Sequence, residues 1–543
     1  MGRFTLFNFF LLSLLCTSGL AENPYRYFTW KVTYGTVSPL GVPQEVIMIN
    51  DQFPGPNINS TTNDNIVVNV FNQLDEPFLI SWNGVQQRKN SWQDGMPGTN
   101  CPIPPGGNYT YQFQVKDQIG TYFYFLSTSF HKAAGGFGGL RVNSRMYIPV
   151  PFDPPAEDYT LLIGDWYTKS HKELRKRLDD SKSLGKPCGV LINGRTGKNA
   201  ETLTVEPGKT YRIRISNVGI KTSLNFRIEG HALLLVEIEG SHTVQNVYES
   251  LDVHVGQSYS VLVTANQAVK DYQIVASTRF TKYILTGTAV LHYSGATEGV
   301  SDAALSGPTG VAFSLNQFRS FRWNLTASAA RPNPQGSYHY GSIPIVRTIK
   351  LASSIGKIEG KLRYAINGVS YKQASTPLKL ADYYEMGKEV WCDKCMPDSP
   401  PEEEMKEETN VVDGVHRDFI EIVFENREKT VQTWHLNGYS FFAVGMSRGT
   451  WTPESRNVYN LFDAISRSNI QVYPKSWSAI LLTTDNAGMW SLRSEIWERQ
   501  YLGQQLYLRI PSPVHSLRDE YDIPLNTPHC GLVANKGEPT KAD

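Results

Sequence analysis

Apolar and polar residues alternate with a period of two in three separate segments that share one layout. The first reads Ile66-Val67-Val68-Asn69-Val70-Phe71-Asn72 and leads, twelve residues on, to Gly84 in Ser81-Trp82-Asn83-Gly84. The second, Tyr211-Arg212-Ile213-Arg214-Ile215-Ser216-Asn217, leads in thirteen residues to Gly230 in Arg227-Ile228-Glu229-Gly230. The third, Ile420-Glu421-Ile422-Val423-Phe424-Glu425-Asn426, leads in twelve to Gly438 in His435-Leu436-Asn437-Gly438. A two-residue period sends alternate side chains to opposite faces of an extended chain. Each unit therefore predicts a strand ending at Asn, then a second strand ending at a Gly turn. Three copies predict three related domains.

Further strands are predicted over residues 109–115, 159–163 and 258–264. Helical periodicity is sparse. Its best case is residues 170–184, with Ser170 as cap, Glu173 at the third position and Leu174 and Leu178 on one face. Many short strands and few helices predict an all-β chain of three antiparallel β-sandwich domains, placed at 22–148, 155–298 and 345–543. The expected linkers are the proline-rich residues 149–155 and the Ser/Gly/Ala-rich residues 295–310. Residues 398–408, with Pro400-Pro401 and an acidic run, are expected to be a solvated loop.

A chain of 543 residues is too long for one ordinary core, which agrees with several domains. Residues 1–21 carry Arg3, an apolar run over 4–15 and the small residues Ser18-Gly19-Leu20-Ala21, the layout of a secretory signal peptide cut after Ala21. That run is too short to span a bilayer, and the polar end over 535–543 gives no glycosylphosphatidylinositol signal, so no membrane anchor is expected. Removing the leader lowers Lys+Arg from 52 to 51 against Asp+Glu 51, a net charge near zero. Nucleic acid, which demands a basic footprint, is excluded as a partner class. Asn59, Asn108 and Asn324 begin Asn-x-Ser/Thr sequons and are the expected glycan sites. Cys16 leaves with the leader; Cys101, Cys188, Cys392, Cys395 and Cys530 remain, an odd number that leaves at least one thiol without an intramolecular partner. Cys392 and Cys395 lack the second Cys pair or His pair of a zinc site and the βαβ context of a redox pair. A local disulfide or a partly unpaired loop is expected instead.

Two segments carry the chemistry: Gly120-Thr121-Tyr122-Phe123-Tyr124-Phe125-Leu126-Ser127 and Trp434-His435-Leu436-Asn437-Gly438. With the threefold repeat they resemble the framework of the multicopper oxidase superfamily, above all plant ascorbate oxidase, whose fold is three cupredoxin-like sandwiches. Tyr34-Gly35, Pro39-Leu40-Gly41, Ile49-Asn50-Asp51-Gln52-Phe53-Pro54-Gly55-Pro56 and Ser91-Trp92-Gln93-Asp94-Gly95 resemble the plant monocopper oxidase-like, or Skewed-similar, branch, which includes the ascorbate oxidase homologues of pollen. The resemblance implies that copper-ligand positions carry other residues: Ser81 and Asn83; Phe125 and Ser127; Gln432 and Asn437; Arg493, Ser494 and Glu495; and Arg499 and Gln504. His435 alone is retained. The chain's own spacing agrees: its eleven His come no closer than His231 and His242, eleven residues apart, so no His-x-His pair exists. A phenyl ring, a hydroxyl or a carboxamide does not hold copper as imidazole and thiolate do.

No cofactor is therefore expected, with copper at His435 as the alternative; a single imidazole gives little affinity, and a buried framework role for it is favoured. His231, His242, His254, His292 and His339 are expected to be surface or sheet histidines. If the fold is kept, Ser81, Asn83, Ser127, Asn437, Arg493 and Glu495 should converge between the first and third domains, with Arg493 or Glu495 paired there, because an unpaired buried charge is costly. The resemblance also implies a Cys101–Cys530 disulfide, worth about 4–5 kcal/mol on loop entropy. It implies a secreted protein of the plant cell wall, or apoplast, acting in cell expansion, directional growth or pollen tube growth, with wall components as partners. The alternatives are a residual copper oxidoreductase and a module that binds a small aromatic or sugar ligand in the oxidase cleft. The basic residues 169–186, seven Lys/Arg against three acids, would suit acidic pectin or be a solvated helix face.

Overall fold

The three Asn-terminated segments occupy one and the same place in three sheets. The computed structural model describes residues 24–146, 148–301, 305–327, 339–392, 394–401, 404–512 and 517–536, so the expected leader lies outside it. Strand Asn65–Asn72 pairs in parallel with Tyr25–Val37 and antiparallel with Asn108–Gln114. Thr210–Asn217 does the same between Asp158–Trp166 and Ser258–Thr264, and Phe419–Asn426 between Arg347–Ile358 and Ser476–Thr483. Each of these sheets faces a second one with its own recurrent parallel pair. These pairs are Ile58–Thr61 with Gly138–Asn143, Thr202–Val205 with Thr286–Tyr293, and Val411–Asp413 with Gln505–Ile510. The remaining strand pairs are mostly antiparallel, giving three cupredoxin-like β-sandwiches.

The terminal Asn of each unit explains why the sequence repeats it. Asn72 accepts from Leu74 N and donates to the carbonyls of Glu76 and Ile103. Asn217 accepts from Gly219 N and donates to Thr222 and Val253; Asn426 accepts from Glu428 N and donates to Thr430 and Val472. A carboxamide alone offers one acceptor and two donors, which closes the strand-end turn and ties it to a neighbouring segment. The Gly turns that follow have φ of 86° at Gly84, 68° at Gly230 and 79° at Gly438. At Gly438 a Cβ would also lie 2.3 Å from the Trp490 ring.

Ser170 caps a helix as expected: its side chain accepts from Glu173 N while the Glu173 carboxylate accepts from Ser170 N. The helix spans His171–Asp179 rather than 170–184, ending before Ser181 at φ 58°. Its buried face is His171, Leu174 and Leu178. Leu174 and Leu178 join Phe123, Phe125, Phe130, Trp166, Val218 and Trp497 in an apolar cluster drawn from all three sandwiches.

The described residues of the expected linker 295–310 form no strand or helix before Gly310, where a helix, Gly310–Ser320, begins; its Gln317 accepts from Asp252 N and donates to Asp252 O, both at 2.8 Å. One expectation needs correction, that for the acidic segment 398–408. The segment is not wholly a solvated loop. Lys406–Glu408 adds a short strand beside Val369–Tyr371, and Asp398 takes two hydrogen bonds from the Arg347 guanidinium at 2.6 and 2.7 Å. Cys101 is bonded to Cys530 across 429 residues, and Cys392 to Cys395. Cys188 is free and exposed. No helix among the described residues is long and apolar enough to cross a membrane.

Candidate functional site

Four strands from two sandwiches meet at the predicted positions: Ile80–Asn83 and Gly120–Leu126 of the first, Gln432–Leu436 and Gly488–Ser494 of the third. Pairing sets Ser81 opposite Phe125 and His435 opposite Arg493. The two-residue period then puts Asn83 beside Ser81, Asn437 beside His435 and Glu495 beside Arg493 on the inward faces.

The strongest links run through Arg493. Its guanidinium donates to Asn437 Oδ1 at 2.6 Å and to Glu495 Oε1 at 3.0 Å. Asn83 Nδ2 donates to the same Glu495 oxygen at 3.3 Å, across 412 residues of chain. Asn437 Nδ2 lies 2.8 Å from both carboxylate oxygens of Asp94. Lys132 Nζ lies 3.6 Å from Glu495 Oε2 and sits over the rings of Phe125 (4.8 Å) and Trp497 (5.1 Å). His435 Nδ1 pairs with Asn469 Oδ1 at 2.9 Å, and Asn469 donates to Gly256 O of the second sandwich. All three sandwiches therefore meet here.

Every member is buried, so charge balance decides what this junction tolerates. Burial raises the Asp94 carboxyl to about 7, against the pull of Asn437 and Arg493. Burial would also raise Glu495, but Arg493 and Lys132 outweigh it and hold that carboxyl below its ordinary value. Burial pulls the Lys132 ammonium down, opposed by Glu495. Burial, with Arg493 nearby, lowers His435 to about 3, so its imidazole is neutral. Arg493 and Lys132 thus share the Glu495 carboxylate, while Asp94, near 7, is divided between its neutral and ionised forms at neutral pH.

Of the positions the sequence singled out, Asn83, Phe125, His435, Asn437, Arg493 and Glu495 are joined here. Ser127 instead donates to Gly95 O within its own sandwich. Among the described residues the hydroxyls of Ser81 and Ser494 and the side chain of Gln504 have no hydrogen-bond partner. Gln432 donates to Ser353 and Asn426, and Arg499 makes a two-pronged contact to Glu428 at 2.6 and 2.9 Å. Asp94 and Lys132 were not among the predicted site residues. Asp94 had appeared only as framework, and Lys132 lies in a 3-10 turn, His131–Ala134, with no periodicity to mark it. His231, His242 and His254 are buried; His242 is a sheet histidine in the strand Ser241–His242, His231 is held by Tyr293 OH and His254 by Ser223 Oγ. His292 is half-buried and paired with Asp271, and His339 is exposed.

Models of multicopper oxidase domains match residues 31–146, 157–296 and 375–516, one for each sandwich. The chain belongs to the multicopper oxidase family. It is 61% identical to an L-ascorbate oxidase homolog of Brassica napus, over 96% of this chain and 95% of that protein. It is 50% identical to the monocopper oxidase-like protein SKU5 of Arabidopsis thaliana (96% and 92%) and 30% identical to an L-ascorbate oxidase of Cucurbita pepo var. melopepo (88% and 93%). Among solved structures, a Botrytis aclada laccase superposes with a TM-score of 0.72 at 25% identity, over 90% of this chain and 88% of that one. The multicopper oxidase Fet3p, which functions in iron import, superposes with 0.73 at 22% identity, over 90% of each chain, a likeness of fold.

Family membership raises copper, and the donor set of the junction can be tested against it. A copper centre needs several imidazoles or a thiolate. Here a single imidazole, already engaged through Nδ1, lies near a guanidinium and an ammonium that would repel a divalent ion. Among the described residues the one cysteine outside a disulfide, Cys188, is at the surface beside Thr168. The junction does not fit copper.

Proposed function

We propose that this chain is a secreted member of the multicopper oxidase family whose central copper sites have been replaced by a charged hydrogen-bond network, and that it acts in the plant cell wall in cell expansion, directional growth or pollen tube growth. The observation that carries the first part is the Arg493–Glu495 pair, with Asn83, Asn437, Asp94 and Lys132 around it. A guanidinium takes the charge that a metal would bring, and it binds first and third sandwiches together as a metal cluster would. The high identity to proteins named as an oxidase homolog and as monocopper oxidase-like supports the same reading. The disulfides suit an oxidising compartment, and Asn59 and Asn108 are exposed for glycan addition, with Asn324 half-exposed. The wall role rests on the likeness to the plant relatives. The chemistry is tested by oxygen uptake of the secreted protein on ascorbate and on phenols, together with its visible spectrum. No turnover and no intense blue band are expected; oxygen consumption with several bound copper ions would refute the reading.

A further inference from the structure

Away from the junction, three residues from distant parts of the chain converge where the first sandwich meets the second. Glu76 lies in the loop after Asn65–Asn72, His131 opens the His131–Ala134 turn, and His171 is the first residue of the capped helix. Glu76 Oε2 is 2.9 Å from His171 Nε2 and 3.4 Å from His131 Nε2. The imidazole rings lie 5.2 Å apart, and one ligand atom from each residue can be chosen with all three within 4.8 Å. We propose that Glu76, His131 and His171 form a binding site for one divalent transition-metal ion of the zinc or copper(II) class.

Geometry carries the assignment. Bonds of about 2.0–2.1 Å to N and O place ligand atoms a little over 3 Å apart in a tetrahedral shell, close to the two spacings to Glu76, while the third, between the imidazole nitrogens, lies within 4.8 Å and would close on an ion. Two imidazoles and one carboxylate with a fourth position left for water are a donor set for such ions, with copper(II) bound above zinc and with no claim on magnesium or calcium. His131 gives the second, independent sign. Its side chain is fully buried, yet among the described residues neither ring nitrogen has a hydrogen-bond partner. A buried imidazole left in that state is costly unless something else engages it.

The surroundings suit the role. Arg175 donates to the other Glu76 oxygen at 2.8 Å and fixes the carboxylate from behind, leaving Oε2 toward the imidazoles. Asp75, held by Tyr34 and Lys172, offsets part of the positive charge of Lys172 and Arg175. Glu76 and Arg175 are partly exposed, which gives an ion a way in. Because Glu76 and His131 belong to the first sandwich and His171 to the second, a bound ion would staple the two. It would also place a single copper in a chain whose central junction rejects one.

The test is calorimetric titration of the metal-stripped full-length protein with zinc and with copper(II), repeated on His131→Ala, Glu76→Gln and His171→Gln, with circular dichroism to confirm folding. One ion per chain is expected, with a melting temperature that rises on loading. Each variant should bind at least about 100-fold more weakly, beyond what loss of an outer-shell partner costs. The copper(II) form should show nitrogen donors but no thiolate band in its electron paramagnetic and visible spectra. Binding that survives in folded His131→Ala, or that is lost instead in His435→Gln, would overturn the assignment, as would the absence of saturable binding. Oxygen uptake is not part of the readout, so this test and that of the proposed function fail independently.

Discussion

Lys132 and His131 are neighbours in one turn, yet each enters a different buried cluster. Lys132 reaches Glu495 at the boundary of first and third sandwiches; His131 reaches Glu76 at the boundary of first and second. The first cluster sets two cations on the Glu495 carboxylate and ties in Asp94 and the first sandwich through two carboxamides. The second gathers two imidazoles on one oxygen of a carboxylate whose other oxygen is held by Arg175. Burial differs, the first cluster being enclosed throughout while Glu76 and Arg175 of the second are partly exposed. Charge differs as well: two cations already crowd Glu495 and repel an added one, whereas Arg175 bonds only the far oxygen of Glu76 and the near one faces two imidazoles.

The largest effect should come from opening the closed cluster. Arg493→Ala leaves Glu495 and Asp94 buried without their main counter-charge and should cost about 3–5 kcal/mol in denaturant unfolding. A loss within the about 0–1 kcal/mol of a surface pair would mean that the guanidinium is not what holds the junction. Cys530→Ser releases the covalent tie between Cys101 and the C-terminal segment and should cost about 2–5 kcal/mol, read the same way. An unchanged midpoint would show that the tie is redundant with the junction.

A smaller effect should appear in pH dependence. Burial raises Asp94 from 3.8 to about 7, so the folded state holds this proton more tightly than the unfolded one. Its contribution to stability is fully present below about pH 4 and is lost as pH rises through about 7, with a slope of at most about 1.4 kcal/mol per pH unit. Asp94→Asn should flatten that slope; a wild-type profile already flat from pH 4 to 7 would contradict the assignment. The smallest effect should come from the open cluster in metal-free protein. His131→Leu removes a buried polar group with no hydrogen-bond partner and should change stability by under about 1 kcal/mol. A cost near that of Arg493→Ala would mean that His131 is already satisfied without an ion.

The strand repeat could be read directly because its period, its terminal Asn and its Gly turn are local signals; each Asn does the same three-bond task in the structure. The junction was readable in part. Arg493 lies on a strand, and Asn437 and Glu495 directly follow adjoining strands whose two-residue period carries to them, so their convergence follows from alternation. Asp94 and Lys132 come from turns, where no period tells which side chain is inward. The Glu76–His131–His171 group was out of reach of a search by spacing. Its members are separated by whole strands, and only the docking of the Ser170-capped helix onto the first sandwich joins them. The same holds for the buried His231 and His254, whose partners Tyr293 and Ser223 lie on other strands or turns.

Elemental analysis of the purified protein beside its His131→Ala variant, paired with oxygen uptake on ascorbate, tests the central claim most directly. At most one transition-metal ion per chain is expected, lost in the variant, with no oxygen consumption by either protein. Several copper ions per chain that persist in His131→Ala and turn over dioxygen would show that the junction around Arg493 holds metal after all.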